Sequence, residues 1–315
     1  MERGGNFNIS AFMQQQMCYL GQEKVFEQAS ECFMRLSGIA VNAKQIERIC
    51  HYYGQQLEDE QQKAIAQGGK DKKVTHKARC YAMLDGGMLL TREEKWKEMK
   101  LARLFDSSQS IHVSKNRGYI GSSTYLAHLG NHTDFLKKVE YHLDSMSDVV
   151  FIADGARWIW KWVEAMYPEA TQILDFYHAK QHLCQWADIA FKDPVKKHRW
   201  IDKQALLLLD NKANVVINNI IRFKTYNCKV RSQRKTLLEY YSSHLNRMNY
   251  KTYKESNLMI GSGPIEAAHR HVIQQRMKLS GQRWTMKGAQ QMANLRVAHK
   301  SNQWEKIEEL TKLAA

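Results

Sequence analysis

The stretch Asp148–Gln185, DVVFIADGARWIWKWVEAMYPEATQILDFYHAKQHLCQ, constrains the fold more than any other part of the chain. Five apolar residues, Val149–Ala153, run into Asp154. A segment with Trp158, Val163 and Met166 near helical spacing follows, and Pro168 ends it. A second short apolar run, Thr171–Leu174, ends on Asp175. Runs this short and apolar read as buried strands, and the segment between them reads as a crossover helix. The expected unit is a parallel strand–helix–strand. Ligands of such units sit beyond the carboxyl ends of the strands. Asp154 and Asp175 therefore occupy positions where a site is expected.

Upstream, Arg79–Leu84 reads as a strand ending at Asp85, with Gly86–Gly87 behind it. Glu98–Phe105 reads as a second strand, after the charged turn TREEKWK. A third is expected at Ser110–Ser114 or Gly118–Ser123, and a helix at Asp134–Leu143. The resulting order is β, β, β, α, β, α, β. That is the order of the ribonuclease H-like fold; a doubly wound fold would alternate from the start. The expected class is α/β in this core and α+β over the whole chain.

The core so defined spans residues 74–178. Residues 179–257 carry little strand signal and read as an α-helical insertion, with helical patterns at Ala205–Leu209, Val215–Ile221 and Leu237–Leu245. A separate helical domain is the alternative. Residues 258–304 follow as a helical, basic segment. Its sharpest feature is Gly261–Ser262–Gly263–Pro264, where Pro264 suits the first turn of a helix running to about Leu279. Ser280–Gly281 ends that helix, and another is expected at Lys287–Lys300. Residues 305–315 read as a charged tail.

Residues 1–67 read as helical: 7–20, Glu23–Leu36, and Ala43–Tyr53 capped by Asn42 with Gln45 as its capping-box partner. Gly54 is the expected stop of the third helix, Gln55–Gln67 a polar continuation, and Gly68–Lys73 a linker. Two helices joined by a short Gly-containing turn suit a helix-turn-helix, with Lys44, Gln45 and Arg48 free to meet DNA. An ordinary helical hairpin is the alternative.

The chain has 315 residues and a formal net charge of +15, which points to a polyanionic partner, most commonly nucleic acid. Its six cysteines are scattered without a C-x-x-C pair, which argues against a zinc ribbon and a disulfide framework and for reduced thiols in the cytoplasm. The N-terminus MERGGNFNIS lacks the apolar core of a signal peptide, and no segment approaches the length of a membrane span.

Between Gly261 and Lys300 the only acid is Glu266, set among Arg270, Arg276, Lys278, Arg283, Lys287, Arg296 and Lys300. One reading is a carboxylate placed by the helix macrodipole. The other is a metal-ligating carboxylate on a phosphate-binding surface, with Arg270 and Gln274 on roughly the same helix face. Phosphodiester cleavage and strand transfer need the attacking and leaving oxygens stabilised together, which a pair of divalent ions can do. Mg²⁺ takes oxygen ligands, so Asp85, Asp154 and Glu266 form a suitable set. Asp175 and His178 either support that set or contact DNA, or Asp175 simply caps the following helix. His178 and His182 have a spacing that can share a metal, but no further paired ligands support zinc. Trp284, preceded by Arg283, either stacks on an unpaired base or packs in the core.

The phrases LDGGMLLTREEKWKEMKLARLF, IADGARWIW, ILDFYHAKQHL and IGSGPIEAAHRHVIQQRMKLSGQRW resemble bacterial insertion-sequence transposases of the DDE type related to the Mutator superfamily. The likeness covers most of the chain, and the last phrase is the most specific. It implies a ribonuclease H-like core with an α-helical insertion before the glutamate. The implied triad falls on Asp85, Asp154 and Glu266, and the D/C-x-x-H motif on Asp175 and His178. It implies an Mg²⁺- or Mn²⁺-dependent transposase that cuts DNA at the terminal inverted repeats of its element and joins the freed 3′ end to target DNA. A homodimer or larger assembly on DNA, in the bacterial cytoplasm and on the nucleoid, follows from the same analogy. The chain departs from many relatives in lacking a Cys-rich, zinc-binding N-terminal segment, which bears on end recognition more than on chemistry. The competing expectations are a structure-specific nuclease on the same fold and a transposase-derived DNA-binding protein without catalysis.

Overall fold

The structure, a computed structural model, describes residues 7–68, 78–114 and 117–314. The linker expected from Gly68 to Lys73 lies, beyond Gly68 itself, outside the described residues, as does the domain start near Val74. Helices α1 (Ala11–Glu23), α2 (Phe26–Ser37) and α3 (Ala43–Ala66) come first. Strands β1 (Cys80–Leu90), β2 (Trp96–Asp106), β3 (Ser110–Ser114), β4 (Arg117–Ile120) and β5 (Thr124–Leu129) follow, then α4 (His132–Leu143). Next are β6 (Val149–Ala153), α5 (Arg157–Met166), β7 (Thr171–Leu174) and α6 (Phe176–Ala190). Then come α7 (Pro194–Leu209), α8 (Ala213–Arg222), α9 (Cys228–Ser243) and α10 (Tyr250–Glu255). Helix α11 (Gly263–Ala268) passes through a π-helical stretch, His269–Gln274, into α12 (Gln275–Met277); α13 (Met286–Lys300) and α14 (Glu305–Ala314) end the chain. The protein is of mixed α/β class. It divides into two compact units, residues 1–149 with 264–315, and residues 150–263. The cut falls at the start of β6 rather than at the core–insertion boundary expected near residue 178. Among the described residues, no helix is long and apolar enough to cross a membrane.

In the first unit, β1 and β2 form a long antiparallel hairpin, and β2 pairs with β5 from Met99↔Leu129 to Leu104↔Thr124. Two expectations are corrected here. Strand β1 does not stop at Asp85 but continues through Gly86 and Gly87 to Leu90. Of the two, Gly87 is the crowded one, because Gly86 meets only the movable end of the Glu98 side chain. A Cβ on Gly86 would stand 2.2 Å from the Glu98 carboxylate, and one on Gly87 3.0 Å from His269 Nδ1. The third strand of the meander is Thr124–Leu129, not either earlier candidate; Ser110–Ser114 and Arg117–Ile120 pair with each other in a separate ribbon. Strand β5 is an edge of the meander, and α13 supplies its missing partners. Gln290 accepts from the Leu129 N–H at 2.7 Å and donates to the Ala127 carbonyl at 3.2 Å, and Ser301 accepts from the Tyr125 N–H at 2.9 Å. These bonds satisfy three of the outer backbone groups that make an open edge a liability.

The N-terminal helices belong to this unit. Asn42 caps α3 by accepting from the Lys44 N–H at 2.7 Å. The helix does not stop at Gly54. It continues to Ala66, and Gly54 is where α13 approaches most closely: a Cβ there would meet the Gln291 carbonyl oxygen at 2.1 Å. Asn294 of α13 donates to the Gly54 carbonyl at 3.0 Å and to Glu58 at 3.0 Å. Glu58 also pairs at 2.7 Å with the buried Lys138 of α4.

In the second unit, β6 and β7 pair in parallel from Val150↔Thr171 to Ala153↔Leu174, joined by α5 as expected. The buried face of α5 is Ile159, Trp160, Trp162 and Val163. The anticipated stripe of Trp158, Val163 and Met166 is only partly right, since Met166 is exposed. Helices α6 to α9 meet at Trp186, whose indole donates to the Val230 carbonyl at 3.3 Å and whose ring meets Trp200 and Phe223.

Candidate functional site

Asp154 and Asp175 follow the carboxyl ends of the adjacent strands β6 and β7, and the Asp175 N–H donates to the Ala153 carbonyl at 2.9 Å. Their surroundings give them different work. Asp154 is half-buried. One carboxylate oxygen accepts from the Ala156 N–H at 2.9 Å, and its carbonyl accepts from the Trp160 indole at 2.5 Å. The residue is thus anchored through its backbone while its carboxylate keeps access to solvent. Asp175 is fully buried. One of its oxygens accepts from the His178 N–H at 2.8 Å, capping α6; the other accepts from both the N–H and the hydroxyl of Ser262, with His178 Nδ1 3.6 Å away. Burial pushes its pKa up, but the hydrogen bonds from His178 and Ser262 outweigh burial and hold the carboxyl below its usual range. Asp175 ties the Gly261–Ser262–Gly263 segment to the end of β7, and the Phe176 N–H, bonded to the Ile260 carbonyl at 2.9 Å, adds to the tie. Helix α6 begins at Phe176, directly after its cap Asp175.

Aromatic groups from the helical segment lie against this end of the strands. The Tyr240 ring of α9 rests on Gly155, where a Cβ would stand 2.1 Å from the ring, so residue 155 must be glycine. His182 of α6 lies 4.2 Å from the Tyr240 ring centre, and His244 5.1 Å from it. Tyr240 and His244 were not among the residues singled out from sequence. Neither has a local signal: they reach the site only through the packing of α9. His244 is pushed down to about 4 by burial and by the neighbouring Arg247, which donates to its Nδ1 at 3.1 Å. In the first unit His128 is likewise pushed down to about 4 by burial and by Lys138. Both stay neutral in the folded protein at pH values where an unfolded chain, near 6.5, already takes up a proton. Stability is therefore expected to fall as the pH drops from about 6.5 to about 4, by at most roughly 1.4 kcal/mol per pH unit per histidine. Thermal unfolding followed across that window checks it; a flat profile above pH 4.5, where the carboxylates contribute little, would rule it out.

In the first unit, Asp85 stands half-buried in the middle of β1. Helix α11 carries Glu266, exposed, in its first turn. Three residues on, the buried His269 brings its Nε2 to 3.7 Å from the Asp85 carboxylate while its Nδ1 side covers Gly87. The helix that presents Glu266 therefore packs across the strand that presents Asp85.

The π stretch shapes what this helix exposes. In an α-helix, steps of four residues drift by about 40° each. The wider π turn, bonded i to i+5, turns back against that drift. Glu266, Arg270, Gln274 and Lys278 all remain exposed as a result. Carbonyls of this stretch also take side-chain donors. The buried Arg296 guanidinium of α13 supplies them, donating to the carbonyls of His271, Val272 and, on α1, Gln22.

The residues assigned to DNA contact separate accordingly. Lys44, Arg48, Arg270, Gln274, Lys278 and Arg283 are exposed, and Gln45 is half-buried. Lys44 pairs with Glu47 at 2.6 Å, and Arg48 lies over the Phe7 ring. Arg276 and Trp284 are corrections, because both are buried. The Arg276 guanidinium lies between the rings of Phe26 and Trp284, and its Nε donates to the Gly21 carbonyl at 2.9 Å. The Trp284 indole donates to the Met277 carbonyl at 2.9 Å. Lys300 is paired with Glu23 at 2.5 Å.

An α/β protein with carboxylates on strand ends and on a helix bedded on a strand is the class that the fold defines. The chain belongs to the Uncharacterised protein family (UPF0236), which it matches over residues 16–312. Comparison with curated proteins finds no match.

Proposed function

We propose that the chain is a DDE-type transposase on a ribonuclease H-like core, cutting the ends of an insertion sequence and joining them to target DNA. The observation that supports this best is the packing of the Glu266 helix on the Asp85 strand through His269, two carboxylate-bearing elements far apart in sequence. Asp154, backbone-anchored and accessible at the end of β6, is the third carboxylate of the expected set.

The donor set suits a hard divalent cation, Mg²⁺ or Mn²⁺, because it offers carboxylate oxygens and no thiolate. Asp85, Asp154 and Glu266 would hold the ions; that they act on the same ions is the proposal's own requirement. When bound, such ions stabilise the attacking and leaving oxygens of a phosphodiester. Asp175 and His178 serve as support: Asp175, fully bonded and buried, fixes the segment leading to the glutamate-bearing helix. Arg270, Gln274, Lys278 and Arg283 offer exposed donors to DNA phosphates, and Lys44, Gln45 and Arg48 on α3 are the proposed readers of the inverted repeats. Arg276 and Trp284 take no part in contact with DNA. A homodimer or larger assembly would bring two ends together.

The test is an assay of cleavage and joining on duplexes carrying the element's ends, with Mg²⁺ or Mn²⁺ supplied or chelated. Expected are metal-dependent nicks with 3′ hydroxyls, joined products, and an affinity for DNA that falls steeply with salt. Cleavage without joining would identify a nuclease instead. Salt-sensitive binding with neither reaction would identify a DNA-binding protein.

A further inference from the structure

Tyr240 and Tyr250 of the second unit each carry a buried hydroxyl without a hydrogen-bond partner among the described residues, and of the two it is Tyr240 that lies against the residue following Asp154. The Tyr240 hydroxyl oxygen is covered, although the residue as a whole is half-buried. Leaving a phenol unpaired in the interior costs about 1–3 kcal/mol, so a buried orphan calls for a reason. Poor packing is not the reason, since the ring is closely held. Gly155 lies beneath it, His182 stands 4.2 Å from its centre, and His244 and Tyr241 flank it. Gly155 directly follows Asp154, so the ring is bedded on the residue next to the proposed ion ligand. The phenol lies within the field of both strand-end carboxylates. Burial first, then Asp154 and Asp175, push its pKa up, so the hydroxyl keeps its proton and can donate to an anion or a polarised water.

We propose that Tyr240 is a positioning residue whose hydroxyl donates a hydrogen bond to a water molecule in the coordination shell of a divalent ion held by Asp154. This rests on the reading of Asp154 as an ion ligand. It adds a group from the helical insertion, outside the carboxylate set. The insertion thereby acquires a part in the chemistry: α9 brings a fixed donor to the strand end. Outer-shell partners of this kind typically govern metal affinity by 10- to 100-fold.

The probe is Mn²⁺ alone, titrated into the full chain, with free ion followed by electron paramagnetic resonance. Tyr240→Phe keeps the ring and its contacts with Gly155, His182 and His244, and removes only the hydroxyl. Expected is Mn²⁺ binding weaker by about 10-fold, with a thermal midpoint equal to or slightly above that of the parent. Asp154→Asn is the reference variant. If it abolishes tight Mn²⁺ binding while Tyr240→Phe binds as the parent does, the role of Tyr240 is overturned and that of Asp154 stands. If the parent and Asp154→Asn take up Mn²⁺ alike, both fall. A Tyr240→Phe protein that melts well below the parent would show the hydroxyl to be a structural bond, and would overturn the proposal too.

Discussion

Replacing Asp154 by Asn is expected to lower DNA cleavage by about 10³-fold or more and to leave DNA affinity and stability close to those of the parent. The substitution is nearly isosteric. An asparagine carbonyl still accepts from the Ala156 N–H, and the Trp160 indole bonds to the backbone carbonyl of residue 154, which does not change. The turn into α5 therefore survives. What is lost is a negative charge at the end of β6, and with it a ligand for a divalent ion. Transition-state charge stabilisation by such an ion is worth several kcal/mol, and about 4 kcal/mol corresponds to 10³ in rate. The cations proposed to hold DNA lie elsewhere in the chain, on α3 and between Arg270 and Arg283, so binding and its salt dependence should persist. Cleavage and gel-shift assays on the same preparation separate the two properties. An Asp154→Asn protein that cuts and joins at the parental rate would remove Asp154 from the chemistry.

The contrast with Asp175 shows why neighbouring carboxylates need not share a role. Both follow apolar strands of four or five residues, and their sequence contexts are equally suggestive. Only the structure shows that Asp175 has no exposure and spends its oxygens on Ser262 and on the first turn of α6. Its low pKa follows from those bonds. A carboxylate so engaged is a clamp. Asp154, accessible and held chiefly by its backbone, keeps the freedom a ligand needs.

What could be read from sequence follows the same division between local and distant causes. Strand β6 falls where expected because five apolar residues in succession are all buried, which few other elements achieve, and β7 falls where expected with Ile173 and Leu174 buried beside it. Strand β1 was cut short at Asp85 because Asp-Gly-Gly ordinarily marks a turn. Here Gly87 lies against His269, which is remote in the chain. Gly54 misled in the same way: it reads as a helix stop, yet it is a contact point for α13. Strand β5 was missed because its partners on the open side are side chains of α13. The seven cations after Gly261 look alike in sequence, but Arg276 and Arg296 face inward. No local pattern distinguishes a guanidinium that binds phosphate from one that caps carbonyls.

Arg296 should accordingly be among the most costly residues to replace. Its guanidinium is fully buried, and burial pushes its pKa down to about 10, still high enough to keep the charge. It donates to three main-chain carbonyls, those of His271 and Val272 in the π stretch and of Gln22 near the end of α1, with Glu23 3.8 Å away. Arg296→Met fills a similar volume but removes the three bonds to main-chain carbonyls from the interior, and each buried acceptor left without a partner costs about 1–3 kcal/mol. A loss of roughly 3–5 kcal/mol is expected after relaxation, a large part of the total stability of an ordinary domain. Lysine should recover only part of it, because an ammonium lacks the planar fork that reaches carbonyls from two elements at once. Urea unfolding of the parent, Arg296→Met and Arg296→Lys gives the order directly. The effect should also reach the site, since the carbonyls that Arg296 caps belong to the helix that bears Glu266 and lays His269 on Asp85. A methionine variant as stable as the parent would mean that the π stretch finds other partners, and that the exposed row from Glu266 to Lys278 does not depend on this guanidinium.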